Sequence, residues 1–338
     1  MSPIVHVTDL TKRYGRTIAV DGISFEVQRG EILGILGPNG AGKTTTMRIL
    51  SCFVMPTGGR VIIDGLDVLR DSLSVRERLG YLSESAALYP DLRVREYLYY
   101  RARLRGLHGK RLRGRVAETM RQCGLDTARD LVIGRLSKGY RKRVALADSI
   151  VHDPHLLIMD EPTLGLDPNQ VRQVRALIKS LTETHTVVLC TGNLHEAEQI
   201  CRRVLIMNEG RIVAADSPGN LLNDSVSVSH FVMDVHASAQ SVLPKLEAIP
   251  DIVQIAWDSV DGWARFELDC ARGMDIRPDL FRLGRENDWQ VRELRMRRAT
   301  LEEAFSVLTS EASAAEAETQ LEHHANAAAS AAGREGPK

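Results

Sequence analysis

The sequence predicts an α/β domain built on a buried, partly parallel sheet, followed by a smaller α+β unit. Three observations predict it. Short runs rich in Val, Ile and Leu alternate with helical patterns over about the first 215 residues, as they do where helices cover both faces of a sheet. A glycine-rich loop stands between one of these runs and the helix that follows. The turn formers of DSPGNLLNDS (216–225) then break the pattern, and all three tryptophans (Trp257, Trp263, Trp289) lie beyond it.

The strands of the first part read VHVTDLTKRY, EILGILGP, RVIIDG, LLIMDEP, THTVVLC, RVLIMNEG and RIVAAD. Beyond the break the order is strand (VSHFVMDV), helix (SVLPKLEAI), strand (IVQIAW), strand (WARFELD), helix (RPDLFRLGREN), strand (WQVRELRM) and helix (TLEEAFSVLTS). This is a ferredoxin-like β-α-β-β-α-β unit with an added helix. The expected domains are therefore 1–220 and 226–310. The Ala-, Glu- and His-containing stretch 311–338 has no apolar periodicity and reads as a disordered tail.

A chain of 338 residues has room for about two domains. Its 44 basic residues balance 44 acidic ones, which removes any global reason to expect nucleic acid as the partner. The five cysteines are odd in number, scattered and without metal-ligand spacing, as expected of reduced structural thiols in the cytosol. The N-terminus is polar where a signal peptide needs an apolar core, and no apolar run approaches the roughly 18 residues that span a bilayer. A chain soluble by itself is expected.

The glycine-rich loop is Gly37-Pro38-Asn39-Gly40-Ala41-Gly42-Lys43-Thr44, followed by Thr45. It satisfies G-x-x-x-x-G-K-[ST] between the strand EILGIL and the helical TTTMRIL. Glycines let the backbone wrap a phosphate so that N–H groups and the helix N-terminus face anionic oxygens. Lys43 then reaches the outer phosphates and the Thr44 hydroxyl is a Mg²⁺ ligand. In HLLIMDEP, four apolar residues lead into Asp160 and Glu161. Carboxylates at the end of a buried strand need partners or a metal. Asp160 fits the Mg²⁺ side, and Glu161 fits the orientation or deprotonation of an attacking water.

Leu136-Ser137-Lys138-Gly139-Tyr140-Arg141-Lys142-Arg143, about twenty residues before the acidic pair, resembles the LSGGQ signature of ABC transporter ATP-binding subunits. The resemblance covers roughly the first 220 residues. It implies a P-loop NTPase fold of the ABC type with a helical subdomain. It further implies ATP and Mg²⁺ as ligands, and a dimer in which Ser137 and Gly139 cap the γ-phosphate held by a second subunit. Tyr14 resembles the aromatic that stacks on adenine. Gly165-Leu166-Asp167-Pro168 is similar to the loop linking the two nucleotide sites, and LEEAFSVLT (301–309) to the end of an accessory domain on some exporter-type ATPases. Separate membrane-spanning permease subunits, a homodimer or ATPase heterodimer, and a peripheral cytoplasmic place on the inner face of the cell membrane follow from the same resemblance.

Two positions depart from the pattern. Glu84, in LGYLSESAALYP, stands where the family commonly has glutamine. It keeps a metal acceptor oxygen but adds a charge near the triphosphate. Gly192, in VVLCTGNLHEAE, stands where the family's histidine donates toward the γ-phosphate. Losing one preorganised donor typically costs about 10² to 10³ in rate. Compensation by His195, by Asn193 (also a helix cap in Asn-x-x-Glu196), by water or by none stays open here. A regulatory subunit that binds ATP and barely hydrolyses it is the alternative that Gly192 raises. A soluble ATPase of translation or DNA repair is the other, but the chain carries one cassette and no sustained heptads. The basic run 101–115 is expected to be a solvated helical face, and Arg295, Arg297 and Arg298 a charged strand edge.

Overall fold

The computed structural model describes residues 2–225, 228–271, 274–297 and 300–309. Contacts divide the chain into two units, Met1–Pro218 and Gly219–Lys338.

The first unit opens with β1 (Val5–Tyr14), β2 (Thr17–Val27), β3 (Ile32–Leu36), α1 (Lys43–Leu50), β4 (Gly58–Ile63), β5 (Leu66–Asp67), α2 (Ser72–Glu77) and β6 (Leu79–Leu82). A helical segment follows, α3 (Val94–Leu104), α4 (Gly109–Gln122) and α5 (Lys138–Ile150). The unit then runs through β7 (Leu156–Asp160), α6 (Pro168–Leu181), β8 (Thr186–Cys190), α7 (Leu194–Ile200), β9 (Arg203–Asn208) and β10 (Arg211–Asp216).

Six strands form the central sheet in the order β10-β9-β3-β8-β7-β6. All its pairings are parallel except that of β10 with β9. β3, β7 and β8 are buried along their whole length, which is why they read as continuous apolar runs and not as alternation. A second sheet, β2-β1-β4-β5, is antiparallel. Met47, Ile49 and Leu50 of α1 share one core with Val20 and Phe25 of this sheet and Ile158 and Val188 of the central one. Because β3, β8 and β7 are parallel neighbours, the segments leaving their C-terminal ends converge, where open α/β sheets place ligands.

Three strands escape the sequence reading, one of them β5, which is only two residues long. In β2, Asp21-Gly22 has the composition of a hairpin turn. The strand instead continues through a register irregularity between β1 and β2, with Gly22 at φ 62° and its N–H donating to Thr11 Oγ1 at 3.2 Å. β6 is only four residues long. A Cβ on its Gly80 would lie 2.1 Å from the Ser149 carbonyl oxygen, so the glycine lets α5 pack directly on the strand. The basic run 101–115 also differs from a wholly solvated face. Arg101 pairs with Asp148 at 2.7 Å, and Arg115 donates to the Ile150 carbonyl at 2.9 Å, tying α3 and α4 to α5.

The Asp64 carboxylate, at the β4–β5 turn, receives Arg29 at 2.5 Å, Arg78 at 2.9 Å and the His155 ring at 2.9 Å. Burial pushes its pKa up, but the three hydrogen bonds outweigh this and hold it at about 2. A depressed carboxylate pKa contributes stability above the unfolded value and loses it as pH falls through the folded one. The partners are half-exposed, so screening reduces the contribution to about 1 kcal/mol. Asp64→Asn should therefore lower stability by about that amount at pH 7. The two proteins should converge as pH falls from about 4 to 2, as read by denaturant melts.

The segment expected to be a turn-rich break is instead α8 (Pro218–Ser225). Proline in the first turn is compatible with a helix, and Leu221 is buried. In the second unit come β11 (Val228–His236), α9 (Ala239–Glu247), β12 (Ile252–Val260), β13 (Trp263–Ala271), α10 (Arg277–Glu286) and β14 (Gln290–Arg297), with residues 301–309 helical. Its sheet, in the order β12-β13-β11-β14, is antiparallel throughout, the ferredoxin-like arrangement. Phe231, Met233, Phe266 and Leu268 form its core with Val242, Leu246 and Leu280 of the helices. Arg295 and Arg297 lie on the edge strand β14 and pair with Glu293 and Glu303. Arg298 and the expected tail 311–338 fall outside the described residues.

Candidate nucleotide site

The loop between β3 and α1 keeps its shape through close backbone approaches. A Cβ on Gly37 would lie 2.4 Å from the Met207 carbonyl oxygen, and one on Gly42 2.3 Å from that of Ala19. Gly42 also takes φ 98°, in the left-handed region, and ends the loop as the N-cap of α1 without a side-chain cap. The first N–H groups of α1 are thereby left for an anion. Lys43 is 8% exposed, and its ammonium donates to the carbonyls of Gly37 (2.7 Å) and Pro38 (2.9 Å). The cation is held over its own loop.

Beside it lies a cavity of about 720 Å³, within the range of small-molecule sites. Asn39, Gly40, Gly42, Lys43, Thr44 and Thr45 form one wall. Glu84, Glu161, Gly192 and Asn193 join them, together with Ala19, Val171 and the segment Thr163–Leu166.

Glu161 has left-handed backbone (φ 47°), a strained conformation for a residue with a side chain. Its N–H donates to the Cys190 carbonyl at 2.9 Å, and its Oε1 accepts the Gly192 N–H at 2.8 Å. Burial holds its pKa above the usual carboxylate value, against the pull of the Gly192 N–H and the Lys43 ammonium. A raised pKa strengthens a carboxylate as a base near neutral pH. Asp160 is 2% exposed and does not reach the cavity wall; its Oδ1 accepts the Cys190 thiol at 2.9 Å. Thr44 and Glu84 line the cavity, and with Asp160 their side chains carry oxygen donors only. Such a set suits Mg²⁺, which prefers oxygen and keeps part of its shell for water and phosphate.

Lys142 of α5, which the sequence reading passed over, donates to the Glu161 carbonyl at 2.9 Å and that of Glu84 at 3.4 Å. It clamps the segments after β6 and β7 to one helix. Its only sequence signal is a basic residue one turn into α5 where the neighbouring strands end in acids.

Gly192 is brought against Glu161, with space around it: a Cβ there would meet only Glu161 Oε1, at 3.6 Å. His195 is not on the wall, and its ring pairs with Gln199 at 2.7 Å on an exposed face of α7. Asn193 is on the wall, but its side-chain oxygen caps α7 by accepting the Glu196 N–H at 3.0 Å. Glu196 does not return the favour as a capping box would; its carboxylate turns into the core.

Other expected site residues stand elsewhere. Gly37, Pro38 and Ala41 shape the loop without lining the cavity. Tyr14, at the β1–β2 turn, is 47% exposed, with the Lys12 ammonium 4.9 Å from its ring centre. Ser137 caps α5 by accepting the Tyr140 N–H at 3.3 Å, and Gly139 packs on Gln170 of α6. Neither Ser137 nor Gly139 lines the cavity that holds Lys43. Asp167 caps α6 through the N–H groups of Asn169 (2.9 Å) and Gln170 (3.0 Å).

The profile of the family described as ABC transporter matches residues 20–164. The daunorubicin resistance ATP-binding protein DrrA2 of Streptomyces coeruleorubidus is 34% identical over 317 residues, 90% of this chain and 94% of that protein. The bacitracin transport ATP-binding protein BcrA of Bacillus licheniformis is 38% identical over 215 residues, 63% of this chain and 69% of that protein. Among solved structures, the dimeric post-hydrolysis state of the ATP-binding cassette MJ0796, bound to ADP and Pi, matches with TM-score 0.58 and 25% identity. That match covers 63% of this chain and 98% of that one. The chain belongs to the ABC transporter family, as an ATP-binding and ATP-hydrolysing subunit.

Proposed function

We propose that the chain is the motor of an exporter, closing with a second cassette around two ATP molecules beneath separate membrane-spanning permease subunits on the inner face of the cell membrane. One observation carries the two-cassette reading. Ser137 and Gly139, at the capped N-terminus of α5, do not line the Lys43 cavity of their own chain. A thirteen-residue helix whose first N–H groups can meet an anion is available for phosphate held by another copy. The relatives named for drug resistance and for bacitracin transport support export, with cargo chosen by the permease. Among the described residues no helix is long and apolar enough to cross a membrane, in keeping with a separate permease.

In this reading the loop N–H groups and Lys43 bind the phosphates, and Asn39 to Thr45 orient them. Glu161 accepts a proton from water as the water oxygen attacks the γ-phosphorus and the bond to the bridging oxygen breaks. Thr44 and Glu84 on the wall would hold Mg²⁺, with Asp160 behind them acting through water, and the ion would supply neutralisation of phosphate charge. Tyr14 stacks on the base.

Glu161→Gln removes the base and leaves the binding groups in place, so ATP with Mg²⁺ should trap the closed pair. Sedimentation should show a mass doubling on adding ATP and Mg²⁺ to this variant. A monomer at saturating ATP would contradict the two-cassette reading.

A further inference from the structure

We propose that Glu196 is a positioning residue for hydrolysis: its buried carboxylate ties the segment after β7 to the segment after β8 and thereby fixes the Gly192 N–H that holds Glu161. Glu196 is completely buried on α7. A carboxylate in a core must find partners, and those of Glu196 are telling. Its Oε2 accepts the Thr163 hydroxyl at 2.7 Å and the Thr191 hydroxyl at 3.0 Å. Thr163 lies two residues after Glu161, and Thr191 immediately precedes Gly192. The Thr191 oxygen also accepts the Asn193 N–H at 3.0 Å. Gly192 is therefore flanked on both sides by groups that lead back to one carboxylate.

Packing alone does not explain this residue. Oε1 of Glu196 is buried without a hydrogen-bond partner, and no basic side chain forms an ion pair with it among the described residues. A half-satisfied buried acid is costly where an apolar side chain could fill the space. Each bond that it does make reaches a segment of the catalytic cavity.

The bracing matters because residue 192 is glycine. With no side chain there, the backbone N–H is the contact this segment offers to the Glu161 carboxylate, at 2.8 Å. Displacing a catalytic group by about 1 Å can cost 10²-fold in rate without touching substrate binding. The inference rests on the proposed role of Glu161 as base.

Steady-state phosphate release, fluorescent-ATP titration and thermal melts of the full chain test it with Glu196→Ala, Glu196→Gln and Thr191→Val. Glu196→Ala should lower kcat about tenfold or more while ATP affinity stays within about twofold. Glu196→Gln, which keeps an acceptor oxygen for the two hydroxyls, should recover most of the rate. Thr191→Val, near in shape, should reproduce the kcat loss even if the alanine variant fails to fold. An unchanged kcat in folded Glu196→Ala or in Thr191→Val would overturn the proposal. So would equal losses of affinity and rate. If Glu161→Gln alone kept its turnover, the role of Glu161 would fall first, and the bracing with it.

Discussion

Lys43→Ala should lose ATP affinity by a factor of about 100 or more, corresponding to roughly 3 kcal/mol, the largest binding effect of any single change in the loop. Its ammonium is nearly buried and rests on the carbonyls of Gly37 and Pro38. It is therefore close to where the loop's N–H groups and the start of α1 accept phosphate. Alanine removes the charge from a partly dehydrated pocket, where water screens least. Arginine should rescue poorly, because a planar fork does not replace a compact ammonium between two carbonyls. Titration with a fluorescent ATP analogue, beside a circular dichroism spectrum to verify folding, measures this. Affinity within threefold of the original chain would show that Lys43 does not bind phosphate.

Gly192→His should raise turnover about tenfold or more, at little cost in stability. The room exists, since the added Cβ makes only an ordinary contact with Glu161 Oε1 at 3.6 Å. Gly192 does not have positive φ, so a side chain adds no backbone strain there. Neither neighbouring substitute fills the role: His195 is paired to Gln199 outside the cavity, and the Asn193 oxygen is committed to the α7 cap. A donor aimed at a developing charge is worth about 10² to 10³ in rate, and imperfect placement by one substitution should deliver part of it. Steady-state kcat measured with saturating ATP and Mg²⁺ tests the prediction. No increase would mean that the missing side chain does not limit the reaction.

The central sheet was legible because β3, β7 and β8 are buried on both faces and so carry unbroken apolar runs ending in chemically marked loops. The ferredoxin-like unit was legible from alternation, most clearly in WARFELDCA, where every second residue is buried. β2 was not, since Asp21-Gly22 has turn composition and only the pairing with β1 overrides it. β6 was missed because four residues give too short a pattern, and its partner helix is brought close by a glycine. The turn formers of 216–225 form a helix from Pro218 onward, although the division between the two units falls within that run.

At the site, the phosphate loop, Glu161 and Gly192 were all visible because each sits at the end of an apolar strand. Thr163, Lys142 and Glu196 were not. Their roles depend on tertiary contacts between segments 19 to 58 positions apart, and nothing local distinguishes a threonine that bonds a buried acid from one that faces water. Glu196 even carries a competing local signal, for Asn193-x-x-Glu196 predicts a reciprocal cap that the carboxylate does not make.

The most direct test of the whole account is phosphate release by the purified chain with ATP and Mg²⁺, measured beside Glu161→Gln. A steady rate well above that control is expected, slow if Gly192 limits the reaction, and abolished by Glu161→Gln while ATP still binds. A rate equal to that of Glu161→Gln would contradict it and leave a subunit that binds nucleotide without using Glu161 to hydrolyse it.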